Sequence, residues 1–375
     1  MNVVRKAVLP GLTVVAVAVA PGVAMAAGPA AAAAAPPRGP AETAYVADAG
    51  SVTVTPINTA TNKAEHAVRV GGDPQAIAIT PNGKTAYVVN HGAGTVTPID
   101  TASNKAGPSI KVGPGPRAIA ITPDGKTVYV ANSGSGTVTP IRTATNKAQP
   151  SIKVGLGPRA IAITPNGKTA YVVNRGSGTV TPIDTASNKA GPSIKTGAGP
   201  RVVAISPNGK TVYVANVGPG TVTPISAATN KAEPSIKTGK RARAIAITPS
   251  GRTAYVANAG SDTVTPVTTA SRKAGSPIKV GRTPWAIAIT PDGRVAYVVD
   301  HRSGAVTPIN TATRKAGAPI KVGQRPMTIA ITPDGKTAYV ANSGSGTVTP
   351  IDIATNTAGP AIKAGASPWA IAITP

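Results

Sequence analysis

Residues 118–159 read AIAITPDGKTVYVANSGSGTVTPIRTATNKAQPSIKVGLGPR. Four runs inside this stretch are built for strands: AIAIT at 118–122, TVYVAN at 127–132, GTVTPI at 136–141 and SIKVG at 151–155. Each is β-branched or alternates small with large side chains, and each is bounded by turn formers. Pro123-Asp124-Gly125 joins the first two, a strong signal for a tight hairpin. No apolar spacing of three or four residues persists long enough to make a helix.

The rest of the chain repeats this unit. Its eight tyrosines are Tyr45, Tyr87, Tyr129, Tyr171, Tyr213, Tyr255, Tyr297 and Tyr339, each 42 residues from the next. Four short strands in about 40 residues make one propeller blade. The predicted fold is therefore all-β: an eight-bladed β-propeller with four antiparallel strands per 42-residue blade. The two ends are complementary. Residues 41–44 (AETA) lack the inner strand of the repeat, and residues 370–375 (AIAITP) are an inner strand with no partner after it. The C-terminal strand joining the N-terminal blade would close the ring and remove its open edge. Alanine alternates with isoleucine in the inner strand, which predicts interdigitation between blades, with the tyrosines filling the same space. Proline recurs in the third strand (Pro98, Pro140, Pro182 and their equivalents) and gives the ladder no donor, so a bulge or a break in pairing is expected there.

Composition narrows the chemistry. Among 375 residues there is no cysteine, which excludes disulfides, thiolate metal sites and a cysteine nucleophile. Arg5-Lys6, the apolar run from Ala7 to Ala20 and Ala24-Met25-Ala26 have the pattern of a secretory signal. The run is broken by Pro10-Gly11 and is too short to favour a membrane span. The expected organisation is a signal peptide over 1–26, a flexible Ala/Pro spacer over 27–40 and the propeller over 41–375. The expected location is secreted or at the cell surface. Net charge is +25, and +23 once Arg5 and Lys6 are removed. Such an excess favours polyanionic partners.

The runs YVVN, YVAN, YVAD and YVVD, followed by TVTPIDTA-[TS]-N-K and then IKVG, resemble the YVTN-family β-propeller repeat of exported and surface proteins. The resemblance extends over all eight units. It implies a propeller fold, an exterior location and a scaffold or binding role, and it supplies no catalytic residues. Propellers host many unrelated activities.

Few residues suggest catalysis. Asp124, Asp292 and Asp334 occupy hairpin turns where Asn82, Asn166 and Asn208 serve equally. Asp100, Asp184 and Asp352 follow the third strand, where Asn58, Arg142 and Ser226 replace them. No carboxylate pair has an acid–base setting. His91 and His301 share one repeat position five units apart, and His66 lies elsewhere in the repeat, so no metal site is expected. Gly83-Lys84-Thr85 imitates the end of a phosphate loop but lacks the upstream glycine and the following helix. No cofactor is implied.

Repetition separates fixed positions from variable ones. The residue before each inner strand should stand at one mouth of the central channel. It runs Gln75, Arg117, Arg159, Arg201, Arg243, Trp285, Met327, Trp369. Four arginines beside large apolar residues suit an anionic ligand with a flat or apolar part, or a plug for a wide channel. His91, Arg175, Asp300, His301 and Arg302 are expected to rim the same mouth. The opposite face presents hairpin cations (Lys84, Lys126, Lys168, Lys210, Arg252, Arg294, Lys336) and loop lysines (Lys63, Lys105, Lys147, Lys189, Lys231, Lys273, Lys315). Arg69, Lys111, Lys153 and their equivalents add an outer rim. The leading expectation is a monomeric, non-enzymatic binding or scaffold propeller that associates with anionic surface polymers. Nucleic-acid binding, and a lyase or lactonase at the channel mouth, are the alternatives.

Overall fold

The computed structural model describes residues 42–375. The signal peptide and spacer expected over 1–26 and 27–40 lie outside the described residues. Eight antiparallel sheets follow one another around a ring, each built as the repeat predicts. In the third blade the inner strand is Pro116–Ile121, the second Thr127–Asn132 and the third Thr137–Arg142. The outer strand is broken into Lys147–Ala148 and Ile152–Lys153, and both pieces pair with the third strand.

Proline explains the break. Pro140 stays in register opposite Tyr129, so the second and third strands pair without interruption. Its carbonyl accepts from the backbone of Gln149 at 2.7 Å. A strand residue turns its N and its carbonyl to the same side, so the missing donor also faces the outer strand. The expected interruption is real, and it falls on the outer side. One consequence corrects the sequence reading. Lys63, Lys105, Lys147, Lys189 and Lys231 begin the outer strands rather than lying in loops, though they remain exposed.

The core lies between blades. Ala76, Ala78 and Tyr87 of one blade pack against Ile119, Val128, Val130 and Ile141 of the next. Small residues on one face receive large ones from the other, as the Ala/Ile alternation predicts. Each such Ile or Val contributes about 1.5–3 kcal/mol by leaving water. Tyr87 is buried to its hydroxyl, which donates to Asn146 of the neighbouring blade at 2.6 Å. Asn146 has a positive φ of 52° and turns the chain towards the outer strand. The same latch joins Tyr129 to Asn188, Tyr171 to Asn230 and Tyr297 to Asn356.

Closure follows the complementary ends. Pro368–Ile373 pairs antiparallel with Thr43–Asp48, with Ala44 opposite Ile373 and Val46 opposite Ile371. Tyr339 then latches onto Asn62 at 2.6 Å, so the last blade grips the first through the same bond; Tyr255, which faces Arg314 at the matching place, donates instead to the Thr311 carbonyl at 3.0 Å. Loops gather at two ends. Thr143 Oγ1 donates to the Gly125 carbonyl at one end, and Ser133 N donates to the Gly115 carbonyl at the other. Among the described residues no helix is long and apolar enough to cross a membrane.

Candidate functional site at the channel mouth

The inner strands of adjacent blades lie side by side and form the channel wall. Each carries one irregularity at its start. Pro116 faces Asn132 and Ala118 faces Ala131, which leaves Arg117 as an extra residue in a β-bulge. The same shift isolates Gln75, Arg159, Arg201, Arg243, Trp285, Met327 and Trp369. All eight variable mouth positions are thus bulge residues. A bulge re-aims a side chain without disturbing the ladder that follows. The invariant strand builds the ring while this one position is free to differ.

The mouth is divided into two arcs. Met327 and Trp369 are buried in one apolar cluster, and Trp285 packs against it. Opposite run the arginines, with Arg201 only 4% exposed and Arg243 7%. Burial depresses both, and like charges add to it. Arg243 is pressed down furthest, by burial and then by Arg201, Arg159, Arg241 and Arg175. Arg159 and Arg201 are lowered by burial and by neighbouring arginines, and Arg117 chiefly by burial. A guanidinium keeps its proton under ordinary conditions. The strain is therefore expressed as attraction for negative charge.

The flat surface expected for stacking is already used. The Arg243 guanidinium lies 2.8 Å above the Trp285 ring. His301 stacks on Trp285 with ring centroids 4.6 Å apart and planes at 25°. His301 Nδ1 also lies 3.0 Å from the Pro326 carbonyl, and burial lowers its pKa. The Trp285 ring is thus already engaged by two partners within the protein.

His91 has a different environment. Its Nδ1 lies 3.4 Å from Asp73 Oδ2, and its Nε2 lies 3.1 Å from an Arg117 nitrogen. Gln75 Nε2 donates to the same Asp73 oxygen at 2.7 Å. Arginine only donates, so Nε2 of His91 accepts and the ring proton sits on Nδ1, towards Asp73. The sequence reading missed Asp73 because it lies in the linker before the inner strand, where no other unit has an acid. His91 and His301, five units apart in sequence, stand three blades apart in the closed ring. No group of three His, Asp or Glu residues with metal-holding geometry occurs among the described residues.

Asp300 is not on the rim. It ends the second strand Val295–Asp300 and is fully buried. It accepts from Thr307 Oγ1 at 2.5 Å, and a Cβ on Gly281 would meet it at 2.6 Å. Six other blades hold asparagine here, as where Asn132 Nδ2 donates to Thr139 Oγ1 at 2.9 Å. The first blade has Asp48 in this place. Burial raises Asp48 to about 6 and Asp300 to about 7. The side chain is held within its blade by Thr307, and Gly281, lacking a Cβ, makes room for it.

At the far end of the ring, Lys84, Lys126, Lys168 and Lys210 are all exposed at hairpin tips. Asp124 is held by Thr122 Oγ1 at 2.6 Å and Lys126 N at 3.0 Å, and these bonds lower its pKa. It is a turn residue, as its interchange with asparagine suggests. The Lys126 ammonium reaches it only at 3.9 Å, between two exposed groups.

The family model described as "Lactonase, 7-bladed beta-propeller" matches residues 42–271 and 185–318 of this chain. No match was found among curated proteins. Among solved structures, Kuenenia stuttgartiensis hydrazine synthase is similar with a TM-score of 0.64 and 27% identity, over 76% of this chain and 97% of that one. The dihydro-heme d1 dehydrogenase NirN in complex with DHE gives a TM-score of 0.75 at 13% identity, over 88% of this chain and 74% of that one. Apo AztD from Citrobacter koseri gives 0.68 at 14% identity, over 89% and 97% of the two chains. The last two likenesses concern the fold alone.

Proposed function

The chain belongs to the lactonase family of β-propellers, closing with eight blades where the family description names seven, and we propose that it serves as an anion-binding propeller outside the cell. The polymer-binding surface is the hairpin face. What carries this reading is the recurrence of exposed lysines at matching places on successive blades, against only 13 acids in the chain. Regularly spaced cations hold a flexible polyanion by releasing its counterions, without reading a sequence. Lysine is suited to that task, being a mobile point charge. The signal-like N-terminus supports an exterior location and an anionic surface polymer as partner.

The test is retention of the purified protein on immobilised polyphosphate and on DNA across a salt gradient. Retention at low salt that falls steeply as salt rises supports the reading, and absence of retention at low salt overturns it. A clear preference for DNA at equal charge density would make the protein a nucleic-acid binder instead.

A second reading is hydrolysis of a cyclic ester at the mouth, favoured by the Asp73–His91–Arg117 arrangement and by family membership. His91 Nε2 would take a proton from water as its oxygen bonds to the lactone carbonyl carbon. The ring C–O bond then breaks, and the proton passes to the leaving alkoxide to give a hydroxy acid. Asp73 would stabilise the imidazolium, and Arg117, drawn off Nε2 by substrate, the oxyanion. Lactone hydrolysis that survives in His91→Ala would end this reading.

A further inference from the structure

We infer that the channel mouth is a separate binding site for a small, oxygen-rich anion carrying two or more acidic groups, held by a cluster of guanidiniums on the third to sixth blades.

Three observations carry this. First, the cluster is larger than the four bulge arginines. Arg175 is exposed in the loop after the fourth blade's second strand, and its charge acts on Arg117, Arg159, Arg201 and Arg243. Arg241, exposed in the linker of the sixth blade, acts on Arg201 and Arg243. Arg175 thus adds its charge to all four bulge arginines and Arg241 to two of them, so an anion seated among them would feel more than one guanidinium.

Second, the hydrogen-bonding character is one-sided. Arginine and tryptophan side chains only donate. Trp369 Nε1 and Trp285 Nε1 are buried without a hydrogen-bond partner, and Trp369 is itself only 5% exposed. The one acceptor left over among the bulge side chains is Gln75 Oε1, also buried without a partner. Carboxylate and phosphate oxygens match such a wall, because they accept only and can be gripped by a guanidinium through two bonds.

Third, the Trp285 ring already carries both the Arg243 guanidinium and the His301 imidazole, so its stacking surface is occupied. This separates the site from one for a flat aromatic ligand. It also separates it from the polymer face, which lies at the other end of the ring. The inference does not depend on the polymer reading.

Both tryptophans of the chain stand at this mouth, so their fluorescence reports on it directly. The purified protein is titrated with citrate and, separately, with pyrophosphate at constant ionic strength. A saturating change with either one, at submillimolar concentration, is expected, and the stronger arm tells carboxylate from phosphate. Arg175→Ala, an exposed position, should weaken binding about tenfold. Arg243→Gln should weaken it at least as much. Lys84→Gln combined with Lys126→Gln should leave the titration unchanged while loosening retention on polyphosphate. The inference is overturned if neither anion gives saturation. It is equally overturned if Arg175→Ala binds like the parent, or if the flat monoanion 1-anilinonaphthalene-8-sulfonate binds more tightly than both.

Discussion

Replacing Asp300 by asparagine should stabilise this protein in alkaline solution and do little in acid. Burial raises the carboxyl from 3.8 to about 7. The folded state therefore holds that proton more tightly than the unfolded chain. The resulting stability is fully present below about pH 4 and is lost as pH rises through about 7. Three units at 1.36 kcal/mol each set a ceiling of roughly 4 kcal/mol, and relaxation around the ion brings the figure to roughly 2–4 kcal/mol. Asparagine avoids the charge, and its Nδ2 can donate to Thr307 Oγ1 as Asn342 donates to Thr349 Oγ1 at 2.9 Å. For a domain of this size the change corresponds to a rise in Tm of about 3–6 °C. Thermal unfolding of parent and Asp300→Asn, followed by circular dichroism from pH 5 to 9, gives the comparison at each pH. The general effect of +25 net charge is nearly the same in both proteins and cancels. A variant no more stable than the parent at pH 9, or equally stabilised at pH 5, would refute the reasoning.

Further outcomes follow from the same interfaces. Asp48→Asn should show a smaller alkaline gain, since its carboxyl is raised only to about 6; denaturant midpoints at pH 5 and pH 8 measure it. Tyr171→Phe removes the donor to Asn230 and should cost about 1 kcal/mol, read by urea unfolding with an unchanged m-value. Gly155→Ala puts a Cβ 2.7 Å from that of Asn174 and should cost about 1–3 kcal/mol, with the loss visible as a lower Tm. Deleting residues 368–375 removes the strand that covers Thr43–Asp48; the exposed edge should drive self-association, seen by light scattering.

The ring was legible because its code is repeated. Tyrosine spacing fixed the blade count, and the unmatched runs at 41–44 and 370–375 fixed the closure. The Tyr–Asn latch was visible as a pattern, an asparagine before lysine in most units, but its partner lies 59 residues away and no spacing within one unit points to it. The bulge was hidden because register depends on how Pro116 and Ala118 meet the second strand, which the inner strand alone does not encode. At the mouth, variability singled out eight positions, and all eight are bulge residues. It could not show that Trp285 is already occupied, since that depends on His301 and Arg243 reaching it from other parts of the chain. Asp73 escaped notice because one acid in one linker has no repeat to set it apart.

The seam where the chain ends meet imitates an intact hairpin. In the second blade Thr80 N donates to Thr85 O at 2.9 Å, and Thr85 N to Thr80 Oγ1 at 3.1 Å. At the seam Thr374 N donates to Thr43 O at 3.0 Å, and Thr43 N to Thr374 Oγ1 at 2.9 Å. Pro375 lies 3.5 Å from where a Cβ on Gly83 would stand, as Pro81 lies 3.3 Å from that of Gly125. The flanking bonds of the turn are there, and what is missing is the short link that Asn82-Gly83-Lys84 supplies in the intact hairpin. The ring consequently has no privileged starting point: joining Pro375 to Thr43 through a short Asn-Gly-Lys bridge and reopening the chain at any other hairpin tip would yield a circular permutant with the same wheel of contacts.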